Sequence, residues 1–134
     1  MNVNEVVREF LVESAENLDH LDQAFVQLEK DPGNTTTLAA IFRTIHTIKG
    51  TSGFLGFGAL ERVAHAGENL LSRLREGMLT LDARMTSALL RVVDATRAML
   101  AQIEASGDDG HGDHSALILE LEALAVPAHP ADAP

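Results

Sequence analysis

Cysteine, tryptophan and tyrosine are absent from this chain, and phenylalanine occurs only five times. Without cysteine there are no disulfides, thiolate nucleophiles or cysteine metal sites, and nothing marks an oxidising compartment, so the cytoplasm is the expected location. Few aromatics leave an aliphatic interior of Leu, Ala, Val and Ile, which suits helices. No stretch approaches the ~20 consecutive apolar residues needed to cross a membrane, and the opening "MNVNEVVREF" carries acids where a signal peptide has an apolar run. Bases are scarce too: ten against twenty acids, a formal net charge of -10. That balance repels nucleic acid and anionic lipid and disfavours both as partners. A basic or neutral protein surface is the more natural docking partner, although an acidic surface kept for solubility explains the charge equally well. What the chain does have is 46% hydrophobic residues in a length of 134, enough for one domain with a core, or one domain and a tail.

The apolar residues recur at helical spacing. Over about 4–30 they are Val6, Val7, Phe10, Leu11, Leu18, Leu21, Phe25 and Leu28, separated by intervals that make one helix face. "DPGN" at 31–34 stops that helix, and Asn34 or a following Thr can cap the next. A second helix, about 36–55, turns Leu38, Ile41, Ile45, Ile48, Ser52 and Leu55 inward before "GFG" at 56–58 breaks it. A third, about 59–75, carries Leu60, Val63, Ala64, Leu70, Leu71 and Leu74. The fourth, about 82–105, carries Met85, Leu89, Val92, Val93, Met99, Leu100 and Ile103; Met78, Met85 and Met99 read as core fillers. The polar, glycine-rich "SGDDGHGDHS" (106–115) leads to a short fifth helix, about 115–125, and "VPAHPADAP" (126–134) closes as a Pro/Ala linker. No strand-like alternation occurs. The expectation is an all-α fold over residues 1–125: an antiparallel up-down-up-down four-helix bundle, with the fifth helix packed on one side or end.

One segment, "IHTIKGTSGFLGF" (45–57), strains against its helical pattern. The core row Ile41, Ile45 and Ile48 lies roughly 100° around the axis from His46, which places His46 on the flank, largely open to water. Its own face holds Phe42 and Arg43 before it and Lys49, Gly50 and Gly53 after it. Glycine within a helix costs roughly 1 kcal/mol relative to alanine. Two beside one histidine look like a surface cleared for another protein, though an ordinary surface histidine near a terminating helix reads the same residues as well. The next helix tips the comparison. "ERVAHAGENLLSRLR" sets His65 and Glu68 three apart, with Ser72 a turn further, and the turn between the helices brings His46 and Glu68 to comparable depth. A carboxylate beside an imidazole accepts the Nδ1 proton, fixes the tautomer and leaves the Nε2 lone pair outward as a nucleophile. Lys49, one turn from His46, can offset the charge of a phosphoryl group.

Other classes fit less well. Di-iron bundles use Glu-x-x-His pairs, and no glutamate here has a histidine three residues later. "HGDH" (111–114) reads as solvated loop with at most weak metal affinity, and His20, His111, His114 and His129 as surface residues. A pure interaction bundle explains the apolar faces and the acid excess but leaves His46, Glu68, Lys49 and the glycines unaccounted for. An independent kinase lacks a phosphate-binding glycine loop and a magnesium-binding acid cluster.

"IFRTIHTIKGTSGFLGF" followed by "AHAGENLLSRLR" closely resembles the histidine phosphotransfer (HPt) domain of CheA-type chemotaxis histidine kinases, over residues 1 to about 125. The resemblance implies that His46 is the phosphoacceptor, that Glu68 orients its imidazole, and that Lys49 and His65 are the basic neighbours of the site. Gly50 and Gly53 match the small residues that admit a partner, and with Phe42 they make the expected docking face. It further implies a phosphorelay intermediate that takes a phosphoryl group from a kinase catalytic domain, in cis or in trans, and passes it to an aspartate of a CheY- or CheB-like response regulator. ATP and Mg²⁺ would serve the kinase and Mg²⁺ the regulator, with no cofactor or metal held by this chain. The isolated domain is expected to be a monomer.

Overall fold

The computed structural model describes residues 3–126, the side chain of Val3 excepted; the expected linker, bar Val126, and His129 lie outside the described residues. Five helices follow one another: α1 Val3–Lys30, α2 Thr35–Leu55, α3 Gly58–Arg75, α4 Ala83–Ser106 and α5 Ser115–Ala125. Each lies within two residues of the range expected from periodicity. Among α1–α4, consecutive helices pack together, α1 also meets α4, and among the described residues the backbones of the diagonal pairs do not approach closely. This is the closed ring of an up-and-down bundle. The short α5 lies against α3 and α4 on the outside of that ring, adding Leu121 and Ala125 to the core.

Local chemistry explains the helix ends. The Asn34 side chain accepts from the backbone N–H of Thr37 at 3.0 Å and starts α2, and Asp82 does the same for Met85 at 2.8 Å and starts α4. Gly56, at φ 85°, ends α2 in the left-handed region that glycine alone enters without cost. The N-terminus of α3 has no cap in its own segment, since Phe57 occupies the cap position. Its acceptor comes from fifty residues away: Asp109 Oδ2 takes the backbone N–H groups of Ala59 at 2.9 Å and Leu60 at 3.0 Å. The loop 106–115, legible in sequence only as polar and glycine-rich, thus closes the start of the third helix.

The apolar stripes fill the interior as their spacing requires. Leu18, Leu21, Phe25, Leu28, Ile41, Ile45, Ile48, Leu60, Leu70, Leu71, Leu89, Val92 and Ile103 are all buried, while Val6, Val7, Leu11 and Leu55 are half-buried at the margins. Each fully buried Leu or Ile contributes roughly 1.5–3 kcal/mol. Gly67 lets α3 approach α4 closely, because a Cβ there would stand 3.3 Å from Val92 Cγ1. Met85 and Met99 are core residues as expected, but Met78 is not. It is 47% exposed, because it falls in the connection after the end of α3, where its sulfur only takes a 3.8 Å contact from Arg73.

Candidate functional site

The α2–α3 hairpin places the chemistry. Phe57 in the turn lies eleven residues after His46 and eleven before Glu68, so an antiparallel pair brings these two to the same level. His46 Nδ1 lies 2.5 Å from Glu68 Oε2, and Lys49 Nζ donates to Glu68 Oε1 at 2.9 Å. The His46 side chain is 57% exposed, whereas that of Glu68 is 11% exposed. The ring therefore stands on the flank with the Glu68 carboxylate tucked beneath it. Ile41, Ile45 and Ile48, on the neighbouring row of α2, are buried and anchor the helix that presents it.

Burial of Glu68 favours its neutral form, but the hydrogen bonds from Lys49 and His46, with the charges behind them, outweigh this and hold its carboxyl below its ordinary value of 4.5. Glu68 is thus ionised near neutral pH and can only accept hydrogen bonds. The proton of the short contact consequently sits on Nδ1, and in the neutral ring Nε2 keeps its lone pair. Phe42, one turn before His46, lies nearly parallel to it, with ring centroids 5.8 Å apart and planes 9° apart. The guanidinium carbon of Arg75, at the end of α3, stands 4.1 Å from the Phe42 ring centroid.

Several expectations are refined by these positions. Lys49 points at Glu68 rather than standing free beside Nε2. His65 is exposed and lines a groove with Lys49, Glu61, Arg62, Asn69 and α5 residues Ile118 and Glu122, and it makes no hydrogen bond to His46 or Glu68 among the described residues. Ser72, on the same face as Glu68, bonds to Glu76 instead. Gly50 is open, with no atom within 4 Å of where a Cβ would be, but Gly53 is not, because the Glu61 carboxylate lies over it. The flank of α2 is therefore open at one glycine and covered from α3 at the other. Phe54, which periodicity leaves without a role, is 84% exposed beyond them on α2.

Two residues escaped the sequence reading. Arg75 had a signal, since it lies seven residues after Glu68, two turns along one face of α3. Asp109 had none, because its contact is non-local. The overall negative charge also hides a local reversal. α2 and α3 together hold Arg43, Lys49, Arg62, Arg73 and Arg75 against only Glu61 and Glu68. The two helices that carry His46 and Glu68 are thus net basic within an acidic protein, which suits an incoming anion. No group of three or more His, Asp or Glu residues converges as a metal site among the described residues.

With the imidazole–carboxylate–ammonium arrangement on a helix hairpin in view, comparison with known proteins is decisive. The Hpt domain family model matches residues 5–106. The chain belongs to the Hpt domain family. A chemotaxis protein CheA from Halobacterium salinarum is 36% identical over 106 residues, which is 79% of this chain and 16% of that protein. Among solved structures, the phosphorylated P1 domain of CheA3 in complex with CheY6 from R. sphaeroides superposes with a TM-score of 0.80 at 27% identity, covering 90% of this chain and 95% of that one. The solution structure of the histidine phosphotransfer domain of CheA gives a TM-score of 0.80 at 26% identity, covering 90% and 89%. The five-helix bundle expected from the sequence is thus the fold of CheA phosphotransfer domains, and phosphotransfer in two-component signalling is the function of this Hpt domain. The chain spans only 12–20% of the length of curated relatives it matches. Within the described residues no helix is long and apolar enough to cross a membrane.

Proposed function

We propose that His46 is the phosphoacceptor of this Hpt domain and that Glu68 orients its ring. The observation that carries the reading is the Nδ1 contact to a buried, ionised Glu68 on an otherwise exposed ring, which leaves one nucleophilic lone pair facing outward. In the step proposed, Nε2 attacks the γ-phosphorus of ATP held by a CheA-type kinase domain. The N–P bond forms as the bond from phosphorus to the bridging oxygen breaks, and ADP departs. No proton need leave the ring: the Nδ1 proton stays in place, and the positive charge that develops on the imidazole is met by the Glu68 carboxylate. Lys49 holds the second carboxylate oxygen and keeps Glu68 ionised. The phosphoryl group then passes to an aspartate of a receiver domain of the CheY or CheB kind, the N–P bond breaking as the acyl phosphate forms.

The kinase domain, in the same longer chain or another, supplies the ATP site, and Mg²⁺ acts with the kinase and the receiver. Support for the receiver as partner comes from the structural neighbour solved in complex with CheY6. The docking face is proposed to run from His46 over open Gly50 toward Gly53, with His65 in the adjoining groove as its basic neighbour. The test is incubation with radiolabelled ATP and a CheA-type kinase domain. Acid-labile, base-stable label is expected on the wild-type chain and none on His46→Gln, which should keep its helical circular dichroism. Label retained by that variant would refute the assignment.

A further inference from the structure

The hydrogen bond to Glu68 decides which nitrogen carries the proton, but it does not by itself hold the plane of the ring. Histidine χ2 is a broad, roughly two-fold torsion, and a ring more than half exposed has little packing to narrow it. The Nε2 lone pair lies in that plane, so rotation about χ2 swings it away from the line an in-line displacement requires. One contact supplies the missing constraint. Phe42 lies against His46 with centroids 5.8 Å apart and planes within 9°, an i, i+4 pair in an offset stack. Phe42 is held in turn from the other helix, where Arg75 Cζ stands 4.1 Å from its ring centroid, within cation–π range. Glu68 and Arg75 share one face of α3, two turns apart, so α3 reaches the histidine twice: directly through Glu68, and through Arg75 and Phe42.

We propose that Phe42, backed by Arg75, is a positioning residue that sets the plane of the His46 ring for phosphoryl transfer. The inference rests on His46 being the phosphoacceptor, and it moves Phe42 from the docking face to the machinery that aims the nucleophile. A docking residue acts only when a protein partner is present, whereas a positioning residue acts on any donor. Phosphoramidate separates the two, since Nε2 attacks its phosphorus, the N–P bond forms, the donor's own P–N bond breaks and ammonia leaves, with no protein docked.

The experiment compares the wild-type chain with Phe42→Met, which keeps apolar bulk without a flat face, Phe42→Tyr, which keeps the face, and Arg75→Leu. Phosphorylation of His46 by phosphoramidate is followed by NMR, and kcat and KM are measured with a kinase domain and ATP. Phe42→Met is expected to slow the phosphoramidate reaction and to lower kcat by a similar factor, about 10-fold, with KM little changed. The ring-current shift of the His46 carbon-bound protons should be lost with it, and Phe42→Tyr should restore both. Arg75→Leu, at an exposed residue, should slow both reactions by about 2- to 3-fold, in proportion to the weaker clamp on Phe42. A wild-type phosphoramidate rate in Phe42→Met, with the defect confined to the kinase reaction, would make Phe42 a docking residue and overturn the proposal. If Phe42→Met does not fold, Arg75→Leu decides, and wild-type rates and ring shifts in it are the overturning result. His46→Gln run in parallel keeps the two readings apart: label on it under the kinase removes the phosphoacceptor itself, whereas an inert His46→Gln beside a normal Phe42→Met removes only the positioning role of Phe42.

Discussion

Asp109→Ala tests whether a loop without sequence signature stabilises the helix that carries Glu68. The α3 N-terminus has no side-chain acceptor of its own, and Asp109 serves the N–H groups of Ala59 and Leu60 at 2.9 and 3.0 Å. Removing a capping acceptor costs about 1–2 kcal/mol, and removing an anion from a helix N-terminus about 0.3–1 kcal/mol more. The expected loss is therefore about 1.3–3 kcal/mol, which in a domain of this size lowers Tm by about 4–12 °C. Asp109→Asn keeps an oxygen acceptor but no charge and should lose about half as much, and the gap between Asn and Asp should narrow in high salt as the charge term is screened. Urea denaturation followed by circular dichroism measures this, with the slope m unchanged because the surface exposed on unfolding is the same. Well below Tm, phosphoryl uptake should be normal, because Leu60 and Glu68 are eight residues apart, about 12 Å along the helix. A loss below about 0.5 kcal/mol would refute the cap as a stabilising contact. Normal stability with impaired uptake would place Asp109 in the site instead.

Glu68→Gln should slow phosphorylation by about 10- to 100-fold without abolishing it, since the amide can still accept from Nδ1–H but no longer answers the charge on the ring; single-turnover labelling decides, and an unchanged rate removes the orienting role. The folded-state pKa of Glu68 is lowered, so the stability it confers is complete above the unfolded value near 4.5 and disappears as pH falls through the lower folded value. Urea midpoints of wild type and Glu68→Gln should thus differ near neutral pH and converge as the pH falls below 4.5 and through the lower folded value; a gap that widens in acid would contradict this. Gly50→Ala, in an open helical position, should raise stability by about 1 kcal/mol, and Gly53→Ala by less because the Glu61 carboxylate must move aside. Chemical denaturation ranks them, and a destabilised Gly50→Ala would show that the flank is not open at that position. Gly50→Leu should weaken capture of a receiver domain while leaving the phosphoramidate reaction intact.

Much of this was legible in the sequence because it depends on period and spacing. A 3.6-residue repeat of apolar side chains determines which faces are buried, and Pro, Gly and Asn mark where helices end, so four amphipathic helices and a short fifth followed from residue order alone. The same periodicity put His46 on the flank, and the symmetric distance of His46 and Glu68 from the intervening turn foretold their meeting. What period and spacing do not carry is the direction of a long side chain and any contact across many residues. Lys49 turning to Glu68, Glu61 covering Gly53, Arg75 stacking on Phe42 and Asp109 capping α3 each depend on how neighbouring helices sit against one another, and Met78 falls outside because of where the α3–α4 connection runs. By itself the sequence determined the helices, the core and which histidine stands on the flank of α2; the tertiary structure decided the proton's place on that ring and its neighbours. The reason is physical: burial follows from local periodicity, whereas a hydrogen bond or a stack needs two groups brought within a few ångströms, and only packing does that.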